Sequence, residues 1–183
     1  KGQFFYTILV ATAFAVCSCS GEKKEVNANS SDSVSLERKA VELAQKFIIT
    51  DGHIDLPYRL SQDMEDISVE TEKGEFDYVR AKEGGLDAPF MSIFIAPSYQ
   101  ETGGAKEHAD SLIELVRKLT FDHPDKFGLA NTPGDVVANF EKGIVSLPMG
   151  MENGAPIEDD LSNLKYFYDR GIRYITLTHG KDN

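Results

Sequence analysis

Three short clusters of polar residues in this chain combine side chains that can hold a divalent metal or move a proton. They are Asp51-Gly52-His53-Ile54-Asp55, Met149-Gly150-Met151-Glu152-Asn153-Gly154 and Thr176-Leu177-Thr178-His179-Gly180. Alternate residues of a strand face the same side, so His53 and Asp55 are predicted to point in one direction. An imidazole and a carboxylate placed in this way can chelate one divalent ion, and zinc accepts both ligand types.

Each cluster also has an ordinary structural interpretation. His53 could be a hydrogen-bonded histidine with Asp55 as a helix cap, and Glu152 could be a solvated loop carboxylate. His179 could be a structural histidine at a strand end, or it could bind metal, polarise a carbonyl or shuttle a proton. The other two histidines, His108 and His123, are predicted to be exposed and to take no part.

The hydrophobic pattern predicts alternating strands and helices that would position the three clusters. Helices are predicted at 37–47, 105–120, 132–142 and 157–169, and strands at 47–54, 89–96, 127–130, 144–148 and 172–178. In the helix at 105–120, Leu112, Leu115, Val116 and Leu119 recur at helical spacing. Each polar cluster falls at the C-terminal end of a predicted strand.

This order of elements predicts the α/β class, with a parallel sheet covered by helices. A complete (β/α)8 barrel needs about 250 residues and places its active site at the C-terminal ends of its strands. The chain is therefore predicted to be an incomplete TIM-like barrel containing about the first five strands. A doubly wound open sheet is the alternative, although no glycine-rich phosphate loop follows the first predicted strand.

The first 36 residues are predicted to export and tether the chain. The apolar run at 4–16 would rise only about 20 Å as a helix, short of a bilayer core of about 30 Å, which is typical of a signal peptide. Residues 16–22 (VCSCSGE) resemble a bacterial lipobox, with Cys19 as the lipidated residue and Cys17 as the alternative. The segment at 20–36 is polar and is predicted to be a flexible tether. The barrel part would then span 37–183.

Composition excludes two classes of site. The net charge is −11, with 19 Lys and Arg against 30 Asp and Glu, and clustered cations of the kind that bind phosphate are lacking, so nucleic acid is not a predicted partner. Cys17 and Cys19 are the only cysteines in the sequence, so the predicted barrel can form neither a disulfide framework nor a thiolate zinc site. A metal there would depend on His, Asp and Glu.

The ordered motifs resemble one family, the renal-type or membrane dipeptidases. Residues 51–60 (DGHIDLPYRL) look like its opening metal motif, 84–93 (GGLDAPFMSI) like its second strand, and 151–154 (MENG) with 171–179 (GIRYITLTH) like its central segment. The resemblance runs from about residue 40 to the end. Pro89, Met91 and Asn153 depart from residues that are common in the family, which bears on the shape of the pocket more than on metal binding.

The resemblance implies a two-zinc hydrolase of dipeptides on a distorted (β/α)8 barrel. His53 and Asp55 would ligate one zinc, Glu152 would bridge both as a catalytic residue, and His179 would contact the substrate and stabilise the developing oxyanion. Zinc ions about 3.5–4 Å apart can share a hydroxide that attacks the peptide carbonyl. Two further His ligands would come from later strands, so the 183 residues alone are expected to be inactive.

Two other functions stay open at this point. Another metal-dependent amidohydrolase would carry a different set of ligands after Asn183, and a non-catalytic surface lipoprotein would bind no metal. The predicted partners are a dipeptide, a membrane reached through the lipid anchor and, as a possible assembly, a second copy of the chain. The predicted location is the periplasm or the cell surface.

Overall fold

The computed structural model describes residues 30–182, in which helices and parallel strands alternate. The helices are α1 (Ser30–Lys46), α2 (Leu56–Gln62), α3 (Tyr78–Gly84), α4 (Tyr99–Thr102), α5 (Ala105–Asp122), α6 (Pro133–Glu141) and α7 (Ser162–Asp169), with a 3-10 turn at Ala155–Ile157. The strands are β1 (Ile49–Ile54), β2 (Leu86–Phe94), β3 (Phe127–Leu129), β4 (Val145–Leu147), β5 (Met149–Glu152) and β6 (Ile172–Thr176). The predicted leader, Cys17 and Cys19 lie outside the described residues. Within the described part of the chain, no helix is both long and apolar enough to span a membrane.

Four of the strands form one parallel sheet in the order β1-β2-β5-β6, and β3 pairs with β4 in a second parallel pair. The predicted α/β class with a parallel sheet is therefore confirmed. The register places Phe94 at the end of β2 beside Glu152 at the end of β5. The carboxyl ends of β1, β2, β5 and β6 consequently meet at one edge, where the polar clusters lie.

The strand predicted at 144–148 corresponds to β4, but the sequence did not predict β5, which follows directly after Pro148. Proline has no N–H to donate to a ladder. The Pro148 carbonyl still accepts a 2.7 Å hydrogen bond from the Met91 amide, which keeps the chain beside β2. β4 pairs with β3 and β5 with β2, so Glu152 ends a strand instead of lying in the predicted loop.

Other predicted bounds differ from the structure. The first helix begins at Ser30, so 30–36 is helical where the sequence favoured a tether. No helix was predicted between residues 56 and 84, where the structure has α2 and α3. The helix predicted at 157–169 begins only at Ser162, because a 3-10 turn and Glu158, at φ 53°, interrupt the path.

The core lies between the sheet and the long helix α5. From α5 it takes Leu112, Ile113, Val116 and Leu119, with Leu115 partly buried beside them, in agreement with the predicted helical spacing. On β2, six of the nine residues are buried and the other three partly buried, as expected for a strand covered on both faces of a parallel sheet. This packing fixes β2 and β5, which carry the inner part of the candidate site.

Asp77 begins α3 and is fully buried, with 0% of its surface exposed. It accepts hydrogen bonds from the Arg80 amide at 2.9 Å, the Arg80 Nε at 2.7 Å and the Thr71 amide at 3.1 Å. Burial opposes ionisation of Asp77, but the amides of Arg80 and Thr71 and the Arg80 guanidinium outweigh it and hold the pKa below its ordinary value.

Asp77→Ala is therefore expected to lower the free energy of unfolding by about 3 kcal/mol at neutral pH, because Arg80 loses its buried partner. Since folding lowers the pKa of Asp77, its contribution is complete above the unfolded value of about 3.9 and is lost as the pH falls through the lower folded value. Urea unfolding at several pH values measures both effects. Glu75→Ala is the matched control, because Glu75 is fully exposed and pairs with the same Arg80 at 3.9 Å. Equal losses for the two variants would contradict the assignment.

Candidate metal centre

His53 and Asp55 come together where β1 ends and α2 begins. The Asp51 carboxylate accepts a 2.9 Å hydrogen bond from the His53 amide, which shapes this turn. His53 Nε2 lies 3.2 Å from Asp55 Oδ1. Asp55 is the N-terminal cap residue of α2, yet its side chain makes no capping hydrogen bond. The helix-cap interpretation of Asp55 therefore does not hold, and its carboxylate faces the imidazole.

Glu152 reaches the same point from the end of β5. Its side chain is only 14% exposed, so it is not the solvated loop carboxylate of the structural interpretation. Glu152 Oε2 lies 3.2 Å from His53 Nε2 and accepts a 2.9 Å hydrogen bond from the Ser92 hydroxyl on β2. The Ser92 hydroxyl, a neutral donor on the neighbouring strand, thus orients the Glu152 carboxylate.

The atoms of His53, Asp55 and Glu152 fit a divalent cation. One ligand atom from each of the three lies within 4.8 Å of the others. Over residues 30–182, the ion pairs of Asp55 and Glu152 are with histidines and not with Lys or Arg. Two carboxylates and an imidazole without a fixed cation are a donor set that zinc accepts. The sequence prediction that these three side chains share one site is consistent with this geometry.

His179 lies beside the group in the loop after β6. Its Nε2 is 3.3 Å from Glu152 Oε1, the oxygen that does not face His53. The edge of its ring packs against Phe94, with ring centroids 5.0 Å apart. His179 is not a member of the three-residue group, and its side chain is partly open to solvent. It is placed to reach a molecule bound in front of Glu152.

Two residues of the site were not identified from the sequence. Ser92 is a fully buried polar residue in the mostly apolar second half of β2, which could have marked it. Tyr174 lies on β6, and its hydroxyl donates a 2.9 Å hydrogen bond to the Gly52 carbonyl. Burial raises the pKa of Tyr174, and the carboxylates of Glu152, Asp51 and Asp55 raise it further. The phenol is therefore protonated at neutral pH.

Asn153 forms the turn that follows Glu152. Its φ is 84°, in the left-handed region that glycine prefers and asparagine tolerates. The side chain is buried and donates to the Ile95 carbonyl at 2.9 Å, while its oxygen accepts from the Ala155 amide at 3.1 Å. Asn153 thus fixes the end of β5 on which Glu152 is carried.

The remaining histidines lie away from this group, as predicted, but the prediction that they are exposed was wrong. His108 is half-buried and stacks on Tyr99 with ring centroids 4.8 Å apart. Burial lowers the pKa of His108. His123 is also partly buried and lies 3.5 Å from Asp66. Tyr99 of α4 packs on the His108 ring, and the His123 ring lies beside Asp66 in the segment between α2 and α3.

The known proteins that are similar to this chain are described as dipeptidases. Residues 37–183 match the profile of the family described as membrane dipeptidase, peptidase family M19. An uncharacterized dipeptidase of Schizosaccharomyces pombe is 32% identical over 162 residues, which cover 80% of this chain and 40% of that protein. Dipeptidase 3 of Mus musculus is 29% identical over 148 residues, which cover 78% of this chain and 29% of that protein. The chain therefore spans two fifths or less of the length of these curated relatives.

Solved structures show the same fold. The probable dipeptidase of Pseudomonas aeruginosa superposes with a TM-score of 0.68 at 22% identity, over 82% of this chain and 39% of that one. A metallopeptidase of Rhodobacter sphaeroides, solved with a phosphinate mimic of the dipeptide L-Ala-D-Ala, superposes with a TM-score of 0.64 at 22% identity, over 74% of this chain and 46% of that one.

Proposed function

Because this chain belongs to the membrane dipeptidase family, peptidase family M19, we propose that the full-length gene product is a metal-dependent dipeptidase. The observation that carries the proposal is the convergence of His53, Asp55 and Glu152, whose ligand atoms lie within 4.8 Å of one another. A dipeptide is the proposed substrate, and hydrolysis of its peptide bond the proposed reaction.

The proposed cofactor is zinc, with two ions in the complete active site. His53 and Asp55 would hold one ion, and Glu152 would bridge to the second. The carboxylate of Glu152 supports a bridging role, because Oε2 faces His53 while Oε1 faces the opposite side, near His179. Bound zinc would polarise the scissile carbonyl and lower the pKa of a water molecule. Ser92 would hold the Glu152 carboxylate in its orientation through the 2.9 Å hydrogen bond.

His179 is proposed to contact the substrate. It faces the open side of Glu152, and its contact with Phe94 fixes the plane of the ring. A histidine N–H held there could donate a hydrogen bond to the carbonyl oxygen as negative charge develops on it during attack. This is a role in catalysis that requires no direct bond to the metal.

An incomplete TIM-like barrel is the proposed architecture, and a contact across the sheet supports it. β1 and β6 are separated by β2 and β5, which would put them about 14 Å apart in a flat sheet. Tyr174 on β6 nevertheless donates to the Gly52 carbonyl on β1 at 2.9 Å. The contact brings the two strands closer together than a flat sheet would, and curvature of this kind supports the barrel proposal. Most residues of β1 are exposed, and the described residues bring together three possible ligands at this site. Both observations support the proposal that the 183-residue chain alone is inactive, because two zinc ions would need further ligands.

An exported lipoprotein facing the periplasm or the cell surface is the proposed form of the protein. Cys19, or alternatively Cys17, would carry the lipid anchor, and residues 20–29 would contribute to the tether. The support is the apolar run at 4–16 followed by the lipobox-like residues. A homodimer is the proposed assembly. Mass spectrometry of the membrane fraction, comparing the native protein with Cys19→Ala and Cys17→Ala, would identify the acylated residue.

The activity is tested with the full-length gene product and a panel of L,L- and L,D-dipeptides. We expect hydrolysis that is lost on chelation and restored by zinc, since the site depends on metal charge. If the zinc-loaded protein leaves every dipeptide of the panel uncleaved, the proposed function is wrong. Hydrolysis of non-peptide amides alone would favour another amidohydrolase, and a protein that binds no metal would favour a non-catalytic surface lipoprotein.

A further inference from the structure

We propose that Tyr174 is a positioning residue, which holds the His53 imidazole in the tautomer and orientation that present Nε2 to the metal centre. The proposal rests on the proposed function, because it assigns a role to a residue beside the same site. It adds a side chain from β6 that is not itself a ligand.

The hydrogen-bonding capacity of the phenol determines the direction of the contacts. The Tyr174 hydroxyl has one proton, which it donates to the Gly52 carbonyl at 2.9 Å. The same oxygen lies 3.5 Å from His53 Nδ1. Having already given its proton to Gly52, the phenol can only accept from the ring, so Nδ1 carries the imidazole proton. The lone pair is then left on Nε2.

The other side of the imidazole fits this assignment when a cation is bound, because carboxylate oxygens only accept and a lone pair on Nε2 would otherwise face two of them. His53 Nε2 is the atom that lies 3.2 Å from Asp55 Oδ1 and 3.2 Å from Glu152 Oε2. A ligating histidine is commonly fixed by a hydrogen bond from its second nitrogen to an acceptor. The Tyr174 oxygen supplies that acceptor. Its hydrogen bond to the Gly52 carbonyl also links the His53 imidazole to the backbone of the turn that carries it.

The Tyr174 ring fits into a space above Gly150 and beside Phe90. It lies over Gly150 on β5, where a Cβ atom would overlap the ring carbons. Phe90 on β2 packs beside it, with ring centroids 5.4 Å apart. Only glycine at position 150 leaves space for the ring at this depth, so the phenol reaches β1 from the far edge of the sheet. This packing explains how the contact between Tyr174 and His53, which are 121 residues apart in sequence, is maintained.

Tyr174→Phe in the full-length gene product tests the proposal, because it removes the hydroxyl and keeps the ring. We expect the zinc affinity, measured by competition with a chromophoric chelator, to fall by about 10–100-fold. In the zinc-loaded wild type the 15N shifts of the His53 imidazole should show Nδ1 protonated and hydrogen-bonded, and in Tyr174→Phe the Nδ1 shift should move toward that of an imidazole N–H without an acceptor. The control is Tyr168→Phe on α7, whose side chain is 60% exposed and which should change neither quantity.

Gly150→Ala is a second test of the proposal, because the added methyl group displaces the Tyr174 ring from above Gly150 and leaves the phenol unaltered. It should also weaken zinc binding and shift the His53 Nδ1 signal of the zinc-loaded protein. Unchanged zinc affinity in Tyr174→Phe would overturn the proposal, and so would a weaker affinity with an unchanged His53 Nδ1 shift, since that is a purely structural effect. Neither readout requires hydrolysis. A wild-type protein that shows the expected zinc affinity and tautomer but cleaves no dipeptide would contradict the proposed function and leave this inference intact.

Discussion

Glu152→Gln in the zinc-loaded full-length protein is expected to lower kcat/KM for dipeptide hydrolysis by about a thousand-fold, equivalent to about 4 kcal/mol. The amide keeps the shape of the side chain and can still accept from Ser92, whose hydroxyl lies 2.9 Å from Oε2. It loses the negative charge that a cation between His53, Asp55 and Glu152 would need. The bound metal should therefore decrease together with the activity, as measured by elemental analysis after dialysis.

Glu141→Gln is the matched control for that experiment. Glu141 ends α6 and is exposed, so the same change of charge there should leave both kcat/KM and metal content near the wild-type values. If Glu152→Gln retains its full metal content and activity, Glu152 is not a metal ligand. The site would then have to lie elsewhere in the full-length protein.

His179→Gln is expected to lower kcat/KM by about 10²–10³-fold while the metal content stays unchanged. The reason is its position, with Nε2 3.3 Å from Glu152 Oε1 but outside the three-residue ligand group. His53→Gln should instead lose metal, since His53 Nε2 lies 3.2 Å from both carboxylates. Activity assays with elemental analysis on the two variants separate a substrate contact from a ligand.

The control for the histidine series is His123→Gln, a histidine that pairs with Asp66 away from the site. It should change neither activity nor metal content. A loss of metal in His179→Gln equal to that in His53→Gln would show that His179 is a ligand and would contradict its proposed contact with the substrate.

The sequence predicted those parts of the site that depend on local pattern. His53 and Asp55 are two residues apart at a strand end, and Glu152 and His179 follow other strands, so a parallel sheet brings all four to one edge. The α/β class and the buried face of α5 followed from hydrophobic spacing in the same way. These features need only the period of each element and the rule that parallel strands end together.

Features that depend on contacts between distant residues could not be predicted in this way. Ser92 and Tyr174 contribute through partners 60 and 121 residues away, and neither residue type is diagnostic by itself. The strand β5 after Pro148 was not predicted, because it forms by pairing with β2, whereas β4 before Pro148 pairs with β3. Gly150 leaves room for the Tyr174 ring, and its place in a polar cluster gave no indication of that contact.

The most direct test of the account is anomalous diffraction at the zinc edge from crystals of the zinc-loaded full-length protein. We expect a strong peak at coordination distance, about 2.0–2.2 Å, from His53 Nε2 and from carboxylate oxygens of Asp55 and Glu152. A second peak is expected on the other side of Glu152. Ordered side chains at these three positions without any anomalous peak between them would contradict the central claim.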